Sequence, residues 1–183
     1  MPASASLLTR RRWFQCSTAA LMGMNVSWLH AASFEKLDWE ALVPADWDPM
    51  QSFSNLQDLA NLPDTDPRVA KLYEQMRKVW DEAPTVAALE GKNIRIPGYV
   101  VPLEGDRQGM SEFLLVPYFG ACIHSPPPPA NQIIHVTTSK PVRGFESMSA
   151  VWVSGRLGLN RKHSEMGVSG YLLQAEKVQA YKE

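Results

Sequence analysis

Cysteine is scarce in this sequence, which contains only two, Cys16 and Cys122. Cys16 lies within residues 1–32, a segment that we interpret below as a removable leader. The remaining domain then has a single thiol, and a single thiol cannot form an intramolecular disulfide. In an exported protein, such a cysteine indicates a metal ligand, a reactive thiol, an intermolecular bridge or a small buried apolar residue.

Strong charge of either sign is also missing. The formal net charge is -1, and no acidic residue precedes Glu35. Removing residues 1–32 takes away Arg10, Arg11 and Arg12 and no acidic group, so the remaining domain carries about three fewer positive charges and is mildly acidic. A domain without a basic stripe argues against nucleic acid as a partner and gives no reason to expect an anionic membrane surface.

The common catalytic motifs are absent as well. We find no nucleophile elbow, no phosphate-binding glycine loop, no HExxH and no CxxC. This absence favours a non-catalytic protein without excluding an enzyme.

The first 32 residues have the features of an export signal. Residues 9–14 (TRRRWF) are typical of the twin-arginine motif, and a moderately apolar stretch follows from Cys16 to Leu29. That stretch is too short and too polar to remain as a stable membrane span, and Ala31 and Ala32 offer small residues for cleavage. We therefore predict a bacterial protein exported to the periplasm. An uncleaved amphipathic anchor and an ordinary secretory signal are the alternatives.

Residues 33–90 predict an N-terminal arm and one helix. Asp66 can cap the helix, Pro67 suits its first position, and Pro84 ends it. Apolar residues recur at helical spacing from Val69 to Trp80. We expect this stripe, together with the tryptophans of the arm, to pack on the domain that follows.

Residues 91–183 predict the β domain. Strand-like segments occur at 93–101, 113–118, 132–138, 150–157 and 170–175, the last continuing toward Tyr181. Short strands separated by Gly and Pro turns favour a small barrel or a sandwich, and the strand count fits a five-stranded, OB-like barrel. The predicted fold is therefore mainly β with a helical N-terminal part.

The segment 120–132 (GACIHSPPPPANQ) contains the main candidates for metal-binding residues. In an extended backbone, the side chains of Cys122 and His124 point to the same face. A thiolate and an imidazole suit a transition metal such as zinc or copper, and the prolines would hold the pair in a stiff polyproline II segment. We predict a metal site at Cys122 and His124, with His135 from the next strand as a third ligand.

Two ligands are fewer than the four of a closed zinc site. Four residues are candidates for its completion: His135, His163, Glu165 and Glu104. By strand alternation His135 faces away from Ile134 and Val136, but it could equally be a hydrogen-bonded, half-buried histidine. His163 and Glu165 fit a solvated loop better than a site.

Two other interpretations of the Cys122–His124 pair stay open. The pair could be a nucleophile and its base, for which Asn131 would be the orienting residue. Alternatively Cys122 is a buried structural residue, and the rim of the barrel binds an envelope partner without any metal.

Several stretches resemble an uncharacterised bacterial family of exported, OB-like domains of unknown function. They are residues 98–104 (GYVVPLE), 113–132 (FLLVPYFGACIHSPPPPANQ), 151–157 (VWVSGRL) and 169–181 (SGYLLQAEKVQAY). The family signature LLVPYxGACIHxPPPPxNQ matches Cys122, His124, the four prolines and the Asn-Gln pair, whereas His135 lies outside it. Because members are often associated with envelope metal transport, the resemblance implies an accessory metal role with a transporter as partner.

Overall fold

The computed structural model describes residues 33–53, 62–63, 65–105, 107–122 and 127–182. They belong to one structural unit, Ala32–Glu183. The predicted signal peptide lies outside the described residues, and so does His124. Among the described residues, no helix combines the length and the apolar character needed to span a bilayer.

Six strands of the described part form one sheet. They are β1 (Glu35–Lys36), β2 (Asn93–Pro102), β3 (Met110–Val116), β4 (Ile134–Val142), β5 (Ala150–Ser164) and β6 (Gly167–Ala180). Their order is β1-β2-β3-β4-β6-β5, and β2 also pairs with β5. The pairs β1–β2 and β4–β6 are parallel, and the other pairs are antiparallel. The prediction of a mainly β protein is confirmed, and each predicted strand is present.

Two details of the strand prediction were wrong. Strand β1 was not foreseen, because its two residues attach to β2 through the backbone and leave no side-chain pattern. The predicted loop around His163 and Glu165 is largely strand, since β5 continues to Ser164 and β6 begins at Gly167. Polar side chains there line the exposed end of a long hairpin rather than a loop.

Alternation along β3 divides the apolar residues between two clusters. Phe113 and Leu115 belong to the main core, which fills the inner face of the sheet. Leu114 lies on the other face with Val101, Val116, Ala121 and Ile133. We call these five buried residues the outer cluster. The predicted burial of this strand on both faces is confirmed.

The described α-helix, α1, spans Pro67–Asp81, and its N-terminus is capped by Asp66, whose side chain accepts from the Arg68 amide. At the other end, Arg161 of β5 donates to the carbonyls of Asp81 and Ala83. Within α1 only Val69 is buried. The predicted packing of its apolar stripe is therefore only partial, because the other apolar residues of the stripe are half-buried or exposed.

Hydrogen bonds fix the arm to the sheet. The indole Nε1 of Trp39, in the 3-10 helix Trp39–Leu42, donates to the Pro97 carbonyl at 2.7 Å. The buried Tyr171 hydroxyl donates to the Leu42 carbonyl and accepts from the Val86 amide, both at 2.7 Å. Short 3-10 helices also occur at Pro49–Ser52, Ala87–Leu89 and Ala130–Gln132. Trp39 thus contacts strand β2 through its indole nitrogen.

Candidate functional site

Cys122 closes a tight turn that follows β3. Ala121 is fully buried, whereas the Cys122 side chain is half-buried against the outer cluster. The backbone φ of Cys122 is 66°, in the left-handed region that residues other than glycine rarely adopt. Such a conformation persists only where the surrounding structure holds it. The position of this thiol is therefore set by the turn and by the cluster beneath it.

Burial governs the acidity of this thiol. It raises the pKa of Cys122 to about 11, so that the thiol is almost entirely protonated at neutral pH. A catalytic cysteine requires the opposite shift, because the thiolate is the nucleophile. This geometry disfavours the nucleophile–base interpretation. A metal ion would have to displace the thiol proton, which makes its affinity depend on pH.

His135 is brought together with two residues that the sequence did not connect to it. It is only 2% exposed, and its Nε2 lies 3.0 Å from Oε2 of Glu112. The Lys162 Nζ donates to the same carboxylate oxygen at 3.0 Å. The alternative of a hydrogen-bonded histidine matches this contact. Its role as a metal ligand remains a prediction.

Burial and the Lys162 charge shift the pKa values of Glu112 and His135. The Lys162 ammonium, more than the imidazole, lowers the pKa of Glu112. Burial, assisted by the Lys162 charge, lowers the pKa of His135. The imidazole is therefore neutral at neutral pH and donates its Nε2–H to the carboxylate. Its buried Nδ1 is then an acceptor that has no hydrogen-bond partner among the described residues.

The remaining predicted ligands are dispersed. Glu104, His163 and Glu165 are all exposed. Within the described ranges, no three His, Cys, Asp or Glu side chains lie close enough together to hold a metal ion. Because His124 lies outside those ranges, the convergence of Cys122 and His124 stays a prediction.

Asn131 and Gln132 have a structural role that the sequence did not suggest. The Asn131 side-chain amide donates to the Pro84 carbonyl at 3.1 Å, and that of Gln132 donates to the Trp39 carbonyl at 2.9 Å. Both bonds fasten the arm to the end of the proline segment. The Asn131 Oδ1, by contrast, is buried and has no hydrogen-bond partner among the described residues.

Two methionines near Cys122 were also missed. Met148 and Met166 pack, half-buried, against the same outer cluster as Cys122. The Met148 Sδ accepts a hydrogen bond from the Gly120 amide at 3.1 Å. Local sequence could not reveal this grouping, because the methionines come from separate turns before and after β5.

A cleft lies between α1 and the turn that joins β5 to β6. Its volume is about 680 Å³, within the range of small-molecule sites. Tyr73, Met76, Trp80, Pro127 and Val168 supply an apolar lining, and Arg77, Asp81 and Glu165 add charge. The cleft is the space left by the incomplete packing of α1.

Comparison with known proteins identifies related proteins but no activity. The model of the DUF3299 family, described as a protein of unknown function, matches residues 39–180. The chain is similar to a DUF3299 family protein from Pseudomonas aeruginosa PAO1 whose crystal structure is known, with 35% identity and a TM-score of 0.60. The match covers 82% of this chain and 98% of that one. No curated protein matches this chain. The chain therefore belongs to the DUF3299 family.

Proposed function

We propose that this protein is a periplasmic accessory protein that binds a transition metal, zinc or copper, through Cys122 and His124. The observation that carries the proposal is the position of Cys122. Its half-buried side chain lies on a constrained turn, against apolar neighbours and two residues before the histidine. Apolar surroundings strengthen the attraction between a thiolate and a cation, because water screens it less.

Chain connectivity supports the pairing. The α-carbons of residues two apart in sequence are separated by at most about 7 Å. The two side chains can therefore reach a common ion without bringing distant elements together. Buried Ala121 before the pair and buried Pro128 after it anchor the chain on both sides.

His135 is the proposed third ligand. A metal-bound histidine must be neutral, and burial favours that form of His135. Its Nε2 is held by Glu112, an arrangement in which the other ring nitrogen is the one presented to a ligand. Coordination through Nδ1 would give this buried acceptor a partner.

We also propose that the five longer strands close into an OB-like barrel. The pairing of β2 with both β3 and β5 supports closure, because it joins the two ends of the series β2-β3-β4-β6-β5. Among the five longer strands, β4 and β6 form the one parallel pair, and every other neighbouring pair is antiparallel. This pattern of strand directions supports the same arrangement. The Cys122 turn would then lie where β3 leaves the barrel.

An incomplete ligand set suits transfer of the metal better than storage. Two or three protein ligands leave a position open, which a ligand from another protein could fill. The proposed partner is an envelope metal transporter, and export by the twin-arginine route would place both in the same compartment. Transfer would then proceed by exchange of one ligand at a time.

The cleft favours a second candidate function, a non-catalytic scaffold that binds an envelope protein. Aromatic and thioether side chains with a few charges are typical of the anchoring pockets of protein interfaces. Trp80→Ala would abolish such binding while leaving metal uptake at Cys122 unchanged.

Native mass spectrometry of the reduced protein tests the metal proposal. Wild type should take up one equivalent of zinc or copper at micromolar concentration. Cys122→Ser and His124→Gln should each lose most of this uptake, whereas His163→Gln, at an exposed strand position, should retain it. Wild-type protein that binds neither metal would refute the proposal, and full uptake by Cys122→Ser would move the site elsewhere.

A further inference from the structure

Three sulfur-bearing side chains converge on the outer cluster from separate parts of the chain. Cys122 comes from the turn after β3, Met148 from the segment before β5, and Met166 from the turn between β5 and β6. Each of the three is half-buried, so each side chain contacts both the apolar cluster and solvent. The thiol and the two thioethers thus pack against the same small group of buried residues.

A hydrogen bond places Met148 beside the Cys122 turn. The Met148 Sδ lies 3.1 Å from the amide nitrogen of Gly120, two residues before the cysteine. Gly167, next to Met166, is so close to Pro127 and Ile133 that an added Cβ would come within 3.0 and 3.2 Å of their side chains. Ile133 belongs to the outer cluster, so the residue after Met166 is held against that cluster.

The backbone at Met148 is also unusual. Its φ is 63°, which costs free energy for any residue with a side chain. The Met148 and Cys122 positions share this left-handed conformation. Both side chains are thus directed by backbone geometry that the surrounding contacts must maintain.

We propose that the thioethers of Met148 and Met166 join the Cys122 thiolate in a three-sulfur site that selects Cu(I) over zinc. This inference rests on the proposed function and specifies its metal. Thiolate and thioether ligands are soft and favour Cu(I), whereas zinc is bound by thiolate, imidazole and carboxylate and gains little from a thioether. One thiolate with one Cu(I) is also electrically neutral, which reduces the cost of placing the ion beside apolar side chains.

Binding of Cu(I) replaces the proton on the Cys122 sulfur. The S–H bond of Cys122 breaks, its proton leaves to solvent, and the sulfur electron pair forms the bond to Cu(I). The two thioethers donate electron pairs without losing a proton. Copper enters and leaves as Cu(I), so no oxidant or reductant takes part.

The test is an anaerobic titration of the full, reduced chain with Cu(I), in competition with a chromophoric Cu(I) chelator, and a parallel titration with Zn(II). The variants are Met148→Leu and Met166→Leu, which conserve side-chain volume but remove the sulfur. Met50→Leu is the matched control, because Met50 is 51% exposed on the arm and outside the outer cluster. Thermal unfolding of each variant checks that the fold is intact.

We expect each of the two site variants to weaken Cu(I) binding by at least about tenfold while leaving Zn(II) binding unchanged. X-ray absorption at the copper edge should show three sulfur neighbours in wild type and two in Met148→Leu. Cu(I) affinity that is unchanged in both variants, or an equal loss of both metals, overturns the inference while the proposed function stands. Wild-type protein that binds neither metal overturns both.

Discussion

Removal of the Tyr171 hydroxyl should reveal how much this group contributes to the attachment of the arm. The hydroxyl is fully buried, donating to the Leu42 carbonyl and accepting from the Val86 amide. Tyr171→Phe keeps the ring and its packing but leaves both backbone groups without this partner. An unsatisfied buried group costs about 1–3 kcal/mol, so two such groups predict a loss of about 2–6 kcal/mol in the free energy of unfolding.

Urea denaturation measures this loss as a shift of the midpoint at constant slope. For a domain of this size, each kcal/mol corresponds to about 3 °C in the midpoint of thermal unfolding. Tyr73→Phe is the control, since Tyr73 is 55% exposed and should change stability by less than about 0.5 kcal/mol. A Tyr171→Phe protein as stable as this control would refute the reasoning.

Wild type and Tyr171→Phe should also differ in how their stability changes at alkaline pH. Burial raises the pKa of Tyr171 above its ordinary value, so the neutral phenol is the form that the fold favours. This stabilisation is complete below about pH 10 and is lost as pH rises through the folded-state pKa. Wild type should therefore lose more stability than Tyr171→Phe above about pH 10.

Three further outcomes are expected. Gly155→Ala should cost about 3 kcal/mol or more in urea unfolding, because its Cβ would overlap the Gln174 carbonyl oxygen. Gly158→Ala on the same strand should be nearly neutral, since the nearest atom is 3.8 Å away; equal losses would contradict the model of steric contact. Burial lowers the pKa of His135, so the stability it contributes is present above the ordinary pKa near 6.5 and is lost as pH falls through the lower folded-state value. His135→Leu should therefore lose less stability than wild type between pH 7 and pH 5 in the same assay, and a larger loss would oppose this. With a thiol pKa of about 11, Cys122 should react with iodoacetamide at pH 8 about 100-fold more slowly than an ordinary thiol, its rate rising with pH, and fast, pH-independent alkylation would exclude the burial described.

The elements with a strong local pattern could be predicted from the sequence. Asp66 and Pro67 mark the start of α1, and alternation along β4 separates His135 from Ile134 and Val136, which lie in the main core. These predictions succeed because caps and side-chain alternation depend only on nearby residues. The distance between α1 and the sheet has no such local cause, so its incomplete packing could not be foreseen.

The contacts of His135 could not be predicted, because they depend on how strands are aligned. In the register of β3 against β4, Leu114 lies opposite His135 and Glu112 lies opposite Thr137, so Glu112 and His135 are diagonal neighbours. Lys162 reaches Glu112 from β5, whose register against β6 shifts between Leu159 and Lys162. Neither the pairing nor the shift leaves a mark in the local sequence.

The bond between Leu42 and Tyr171 joins residues that are 129 positions apart, near the two ends of the domain. During synthesis the arm emerges long before Tyr171, so this hydrogen bond forms only after the last strand has been made. The contacts of Trp39 with Pro97 and Gln132 involve residues that are made earlier. The attachment of the arm at Leu42 therefore comes last and depends on the completed sheet.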